Sequence, residues 1–156
     1  MIEVQAPHAY GEHGGKPKVF LAGSIEMGRA AEWQKRVVEE VSDLEVVVLN
    51  PRRKDWDSSW QQTIDHPQFR EQVEWELQAL DDSDIVVMYF DPETKSPITM
   101  LELGVHAATN AGKVIVCCPE GFWRKGNIDI VCARYGVAQA GDLDGLIAQL
   151  RARLTA

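Results

Sequence analysis

Short apolar runs alternate with stretches of helical periodicity along most of the chain. From Lys18 the sequence reads KVFLA, a helical stretch over about 26–41, EVVVLN, and a long polar loop. A helix over about 67–80, the run DIVVMYF, a helix over about 97–111, the run KVIVCC, a short helix over 127–134, the small strand GVAQA and a last helix from Leu143 follow. Strand-sized runs that are β-branched and apolar on both faces imply strands covered by helices on both sides, hence a parallel, doubly wound sheet. The spacing predicts an α/β fold of the flavodoxin-like class with five strands in the order 2-1-3-4-5. Residues 1–17 carry Pro7, Gly11, Gly14, Gly15 and Pro17 without an apolar period and are expected to be an irregular arm before a single domain over 18–156.

In such a sheet ligands bind beyond the carboxyl ends of the strands, near the switch in strand order. That rule selects Gly23 and Ser24 after strand 1, residues 50–60 after strand 2, 91–102 after strand 3 and 119–127 after strand 4. The turn at Gly23 and Ser24 lacks both the three spaced glycines of a dinucleotide fingerprint and the G-K-[ST] of a phosphate-binding loop. It offers backbone N–H groups and one hydroxyl to a small anion or sugar, or else is a plain turn with Ser24 as helix cap.

Thr99 and Glu102, in SPITMLELG, have the spacing of a capping box, and the same position suits an ionised nucleophile favoured by a helix dipole. Gly104 leaves room beside it. A carboxylate nucleophile is often partnered by a second carboxyl group that handles the leaving group's proton, as in glycosidic cleavage, and Glu76, at the end of a helix with Trp75, is the candidate for that role. The loop NPRRKDWDSSW sets Trp56 and Trp60 among polar residues. They form either a satellite core or an apolar wall for a flat base, with Asp55, Asp57 or Arg52 reading its edge and Asn50 at the strand end.

Composition narrows the partners. With 156 residues, 45% of them hydrophobic, the chain suits one core. Its longest apolar runs fall far below the roughly 20 residues of a membrane span. A net charge of −8 disfavours any nucleic-acid polymer. The cluster Arg52, Arg53 and Lys54 is either solvated or holds one small anion. Cys117, Cys118 and Cys132 show no metal spacing and no even disulfide framework, which points to a reducing cytoplasm; no metal or cofactor is expected.

The ordered set GSI, NPRR-x-D-W, Trp75–Glu76, DIVVMYF, SPITMLELG and GFWRKGN resembles the nucleoside 2-deoxyribosyltransferase family over about 19–136. The resemblance implies that Glu102 is the nucleophile forming a covalent deoxyribosyl intermediate. Glu76 falls where the family usually has an aspartate that handles the base's proton. Asn127 falls on an asparagine that reaches a neighbouring subunit's site, which implies a homo-oligomer, dimer or larger, with shared sites. Ser96 stands where transferases of free nucleosides usually carry an aspartate. Related nucleoside 5'-monophosphate N-glycosidases instead resemble this chain in pairing serines at the positions of Ser24 and Ser96 to hold phosphate. The expected substrates are therefore a small nucleoside or nucleotide and a nucleobase. Transfer of deoxyribose between bases and hydrolysis of a 5'-monophosphate both stay open, as does a catalytically silent nucleotide-binding sensor. A phosphoreceiver is excluded by the absence of an acidic pair after strand 1 and of a lysine after strand 5; a flavin carrier is disfavoured by the Gly23–Ser24 turn.

Overall fold

The computed structural model describes residues 1–25 and 32–156. In chain order the described elements are β1 (Ile2–Gln5), β2 (Lys18–Gly23), α1 (Trp33–Glu40), β3 (Val47–Asn50), α2 (Pro67–Asp82), β4 (Ile85–Tyr89), α3 (Pro97–Asn110), β5 (Val114–Cys117), α4 (Lys125–Tyr135), β6 (Ala138–Ala140) and α5 (Leu143–Leu154). The strands form one parallel sheet in the order β1-β3-β2-β4-β5-β6. Without β1 this is the expected 2-1-3-4-5 order, and the flavodoxin-like class holds. The first part of the helix expected over 26–41 lies outside the described residues.

Alternation along the strands builds two cores. Phe20, Ala22, Val47, Leu49, Val86, Met88, Val114 and Val116 face one layer, where Ala79 and Leu80 of α2, Leu103 and Ala107 of α3, and Ile128 and Cys132 of α4 pack. Val19, Leu21, Val48, Ile85, Val87, Ile115 and Cys117 face the other, against Trp33 and Val37 of α1 and Leu146, Ile147 and Leu150 of α5. Complete burial on both faces is why these strands read as continuous apolar runs. Truncating one such residue to alanine costs about 2–5 kcal/mol. Helices α2 and α3 therefore cover one face of the sheet, and α1 and α5 the other.

The strand β1 corrects the expectation of an irregular arm. Ile2 to Gln5 pair in register with Val47 to Asn50, extended by Ile2 N–H to Val46 O at 2.8 Å and Ala6 N–H to Asn50 O at 3.0 Å. Four residues at a half-exposed sheet edge carry too little apolar signal to announce a strand, and the pairing partner supplies the rest. Beyond β1 the arm is tied to α2: Trp75 Nε1 donates to His8 O at 2.8 Å and Tyr10 Oη to Asp82 at 2.9 Å. The Tyr10 ring also meets the Trp75 ring edge-on, with centroids 5.7 Å apart.

Helices α2 and α3 match the spans expected over about 67–80 and 97–111, but the site residues sit differently within them. Helix α2 does not end at Trp75 and Glu76 but runs to Asp82, so Glu76 lies in its interior. Ser96 occupies the N-cap position of helix α3 without a side-chain capping hydrogen bond, and Pro97 stands at the first helical position, where a missing N–H is harmless. Thr99 is already inside the helix, so the expected Thr99–Glu102 capping box does not form.

Candidate active site

Glu76 and Glu102 project from α2 and α3, two helices of the same layer, and the charge of Glu76 acts on the Glu102 carboxyl. Each residue is half-buried. Burial raises the Glu76 carboxyl to about 7, opposed by the hydrogen bond that Gln72 Nε2 donates to Glu76 Oε1 at 2.7 Å. Burial raises Glu102 to about 8, and the charge on Glu76 pushes in the same direction. Ionised Glu102 was expected to draw support from a helix N-terminus. The structure overturns that reason: Glu102 stands six residues past the Ser96 cap, and the dipole's influence fades within the first turn. Among the described residues no cation enters the balance of either group. Near neutral pH such a pair holds about one proton between two carboxyls, and its titration steps belong to the pair. One charged and one protonated acid is the state that covalent glycoside chemistry uses.

At the ends of β2 and β4 lies a buried cluster of three hydroxyls. Ser24 Oγ is hydrogen-bonded to Ser96 Oγ, accepts from Thr94 Oγ1 at 2.8 Å and accepts from the Asp91 N–H at 2.9 Å. Thr94 Oγ1 also lies 2.9 Å from both Ser96 Oγ and Asp91 O. Its single proton serves one partner at a time. The residues that Ser24 would cap lie outside the described residues; its carbonyl accepts from Trp33 Nε1 at 3.0 Å. Ser96 adopts a left-handed conformation, φ 46° and ψ 51°, at a cost on the order of 1–3 kcal/mol for a non-glycine residue. The same residue opens the helix that carries Glu102, which lies about 9 Å further along the axis at 1.5 Å per residue.

Gly23 explains how this end of the sheet closes. Its φ is +151°, and a Cβ there would meet Tyr89 O at 2.4 Å and the Trp33 ring at 2.7 Å. The position requires glycine for packing β2 against β4 and α1. Beside Glu102, Gly104 has open space where a Cβ would stand.

The loop after β3 divides the remaining candidates. Asn50 is buried, donating from Nδ2 to Glu3 at 2.9 Å and accepting the Arg52 N–H at 3.0 Å, so it ties β1 to the loop. The Arg52 guanidinium points to α1, donating to Gln34 Oε1 at 3.3 Å. Asp55 is exposed and paired with Arg53 at 2.6 Å, which holds its carboxyl low. Asp57 accepts the Ser59 N–H at 2.8 Å in a local turn; hydrogen bonds from Ser59 lower it too. Trp56 packs edge-on against Trp60 at 5.0 Å, and Trp60 in turn meets His66 and the Arg53 guanidinium. These contacts form the satellite cluster rather than a vacant wall at Trp60. Asn127 is exposed in the first turn of α4.

Two contributors escaped the sequence reading. Thr94 supplies the third hydroxyl, and only the fold of the 91–96 turn brings it to Ser24. Gln72 was legible in principle, four residues before Glu76 and so on the same helix face. Its Nε2 bonds both Glu76 and Pro51 O, the latter at 2.9 Å.

A family model described as nucleoside 2-deoxyribosyltransferase like matches residues 16–122. A search of curated proteins gives no significant match. Among solved structures, a conserved protein from Enterococcus faecalis V583 is similar at 16% identity and a TM-score of 0.62, covering 89% of this chain and 99% of that one. At that identity the likeness concerns the fold alone.

Proposed function

The chain belongs to the nucleoside 2-deoxyribosyltransferase-like family, and we propose that it cleaves the N-glycosidic bond of a 2'-deoxynucleoside and transfers the deoxyribose to another nucleobase. The observation that carries this reading is the coupled acid pair, Glu102 raised to about 8 by burial and by Glu76, with Glu76 raised to about 7. The reactive form is the singly protonated microstate with the proton on Glu76, the less populated of the two because Glu102 is the more strongly raised. In it, ionised Glu102 attacks C1' as the C–N bond breaks. Its electron pair leaves with the base, which takes the proton of Glu76. The product is a glutamyl-sugar ester. An incoming base then attacks C1' from the face the first base left, returns a proton to Glu76 and releases the Glu102 carboxylate, so two displacements retain configuration. Asn127 serves the site of a neighbouring subunit in a homo-oligomer.

Incubation with deoxyinosine and adenine tests the proposal. Deoxyadenosine forms with the unaltered protein and not with Glu102→Ala; equal exchange by both would sink it. Asn127→Ala lowers exchange while the protein still elutes as a dimer or larger, and a fully active monomer would refute the shared site.

A second reading, hydrolysis of nucleoside 5'-monophosphates, is favoured by the Ser24, Thr94 and Ser96 hydroxyls. Hydroxyls donate to phosphate oxygens, whereas a carboxylate at Ser96 would repel them. A phosphate would compete for these protons with Tyr89 O, 3.4 Å from Ser24 Oγ, and with Asp91 O, 2.9 Å from Thr94 Oγ1. Comparing deoxynucleosides with their 5'-monophosphates, each with and without acceptor base, separates the readings. Free base released from the monophosphate alone selects hydrolysis, and base exchange on the free nucleoside selects transfer.

A further inference from the structure

A cavity of about 420 Å³ opens at the β1 edge of the sheet, lined by Glu3 of β1, Gln34 and Lys35 of α1, Asn50 at the end of β3, and Arg52 and Lys54 of the following loop. It lies on the α1 side, whereas Glu76 and Glu102 stand on α2 and α3, which pack on the opposite layer. Gln34 is 1% exposed, and its Nε2 has no hydrogen-bond partner among the described residues. The orientation of this amide is fixed by chemistry. Arg52 Nη1 has only protons to offer, so the atom it meets at 3.3 Å is Gln34 Oε1, and the donor end is left over. A buried amide N–H without an acceptor forfeits the hydrogen bond it would make to water.

Around Gln34 the lining mixes carboxylates with cations, and two of its three carboxylates, Glu3 and Glu39, already have partners. Glu3 is engaged by Asn50 Nδ2 and Gln5 Nε2. Lys35 and Glu39 pair with each other at 4.0 Å. Arg53 is committed to Asp55 and Glu71. Among the described residues the Arg52 guanidinium makes one side-chain hydrogen bond, leaving most of its fork for an oxygen-bearing partner. Lys54 is exposed at the rim. Glu32 also lines the cavity and is exposed, so it opposes a fully anionic occupant and suits one that carries N–H groups as well.

We propose that this cavity is a second ligand site, separate from the acid pair, which takes a small organic anion by seating its phosphate or carboxylate oxygens between the Gln34 amide and the Arg52 guanidinium. The size matches the lower part of the range for small-molecule clefts. Arg52 and Asn50 then serve this site and not the sugar at Glu102.

The test follows the Gln34 side-chain amide by ¹⁵N NMR while the full chain is titrated with inorganic phosphate and, separately, malonate. Saturable movement of that resonance with either anion is expected, and the tighter of the two identifies the ligand's acid group. Arg52→Ala weakens the titration at least tenfold, and Gln34→Glu, nearly isosteric but negatively charged, abolishes anion binding by calorimetry in a protein of unchanged circular dichroism. Ser24→Ala leaves the Gln34 titration unchanged, because the hydroxyl cluster is elsewhere. No saturable shift with either anion, or an unaltered titration in Arg52→Ala, would overturn the proposal. So would displacement of the bound anion by a free deoxynucleoside, which would make the cavity part of the catalytic site. None of these outcomes depends on chemistry at Glu102.

Discussion

Four carboxylates that the sequence marks as site candidates divide into two regions with opposite electrostatics. Asp55 and Asp57, in the loop after β3, are exposed and held low by Arg53 and by local hydrogen bonds from Ser59. Glu76 and Glu102, on α2 and α3, are raised to about 7 and about 8 by burial, the latter also by its neighbour's charge. The loop acids have satisfied their charge within the protein. The helix acids have not, and a burial cost left uncompensated by any cation is a mark of chemistry rather than of structure.

The comparison breaks most visibly at Glu102. Replacing it with alanine lowers base exchange roughly a thousandfold or more, read as kcat/KM; a small loss would return Glu102 to the same class as the loop acids. Glu76→Gln should cost roughly a hundredfold, the usual share of a proton-transfer group. It also removes the charge that helps to raise Glu102, so the Glu102 titration moves to lower pH when followed by carboxyl ¹³C NMR. An unmoved titration would show that the two acids are not coupled.

For the unaltered protein, kcat/KM should follow a bell with limbs near 7 and 8, the two steps of the pair. Both carboxyls are protonated below it and both ionised above it, and neither state carries one acid and one nucleophile. A flat profile between pH 6 and 9 would dissociate the pair from the rate.

The stability effect is smaller and has a definite sign. A carboxyl raised in the folded state binds its proton more tightly there than in the unfolded chain, so its favourable contribution is full at low pH. That contribution is lost as pH rises from the unfolded value, near 4.3, through about 8 for Glu102. Glu102→Gln therefore raises Tm by a few degrees at pH 8.5 and leaves it nearly unchanged at pH 4, as a thermal scan would show. Partial exposure of the side chain keeps the shift modest. At the bottom of the scale, Asp55→Asn and Asp57→Asn should leave kcat/KM within about twofold. A larger loss on either would place that loop acid against the substrate.

The chain's local patterns were enough to anticipate the order of β2 to β6 and the helices α2 to α5, because runs such as DIVVMYF and KVIVCC are buried on both faces and carry that burial as composition. The pairing of β1, by contrast, is a property of β3: Ile2 and Val4 alternate too briefly to be read without the strand they join. At the site, the sequence supplied Glu76, Glu102, Ser24 and Ser96 as residue types at strand ends. It also offered a wrong reason for Glu102, since a capping box is a spacing, whereas α3 opens at Ser96 through a left-handed backbone that no spacing reveals.

Sequence by itself determined the sheet order and the chemical groups available at its carboxyl ends, since burial and periodicity are written residue by residue. Only the tertiary structure decided which of those groups are charged. Whether Asp55 finds Arg53 while Glu102 finds Glu76 depends on contacts between segments far apart in the chain, and the free energy of a carboxylate is set by what surrounds it in space.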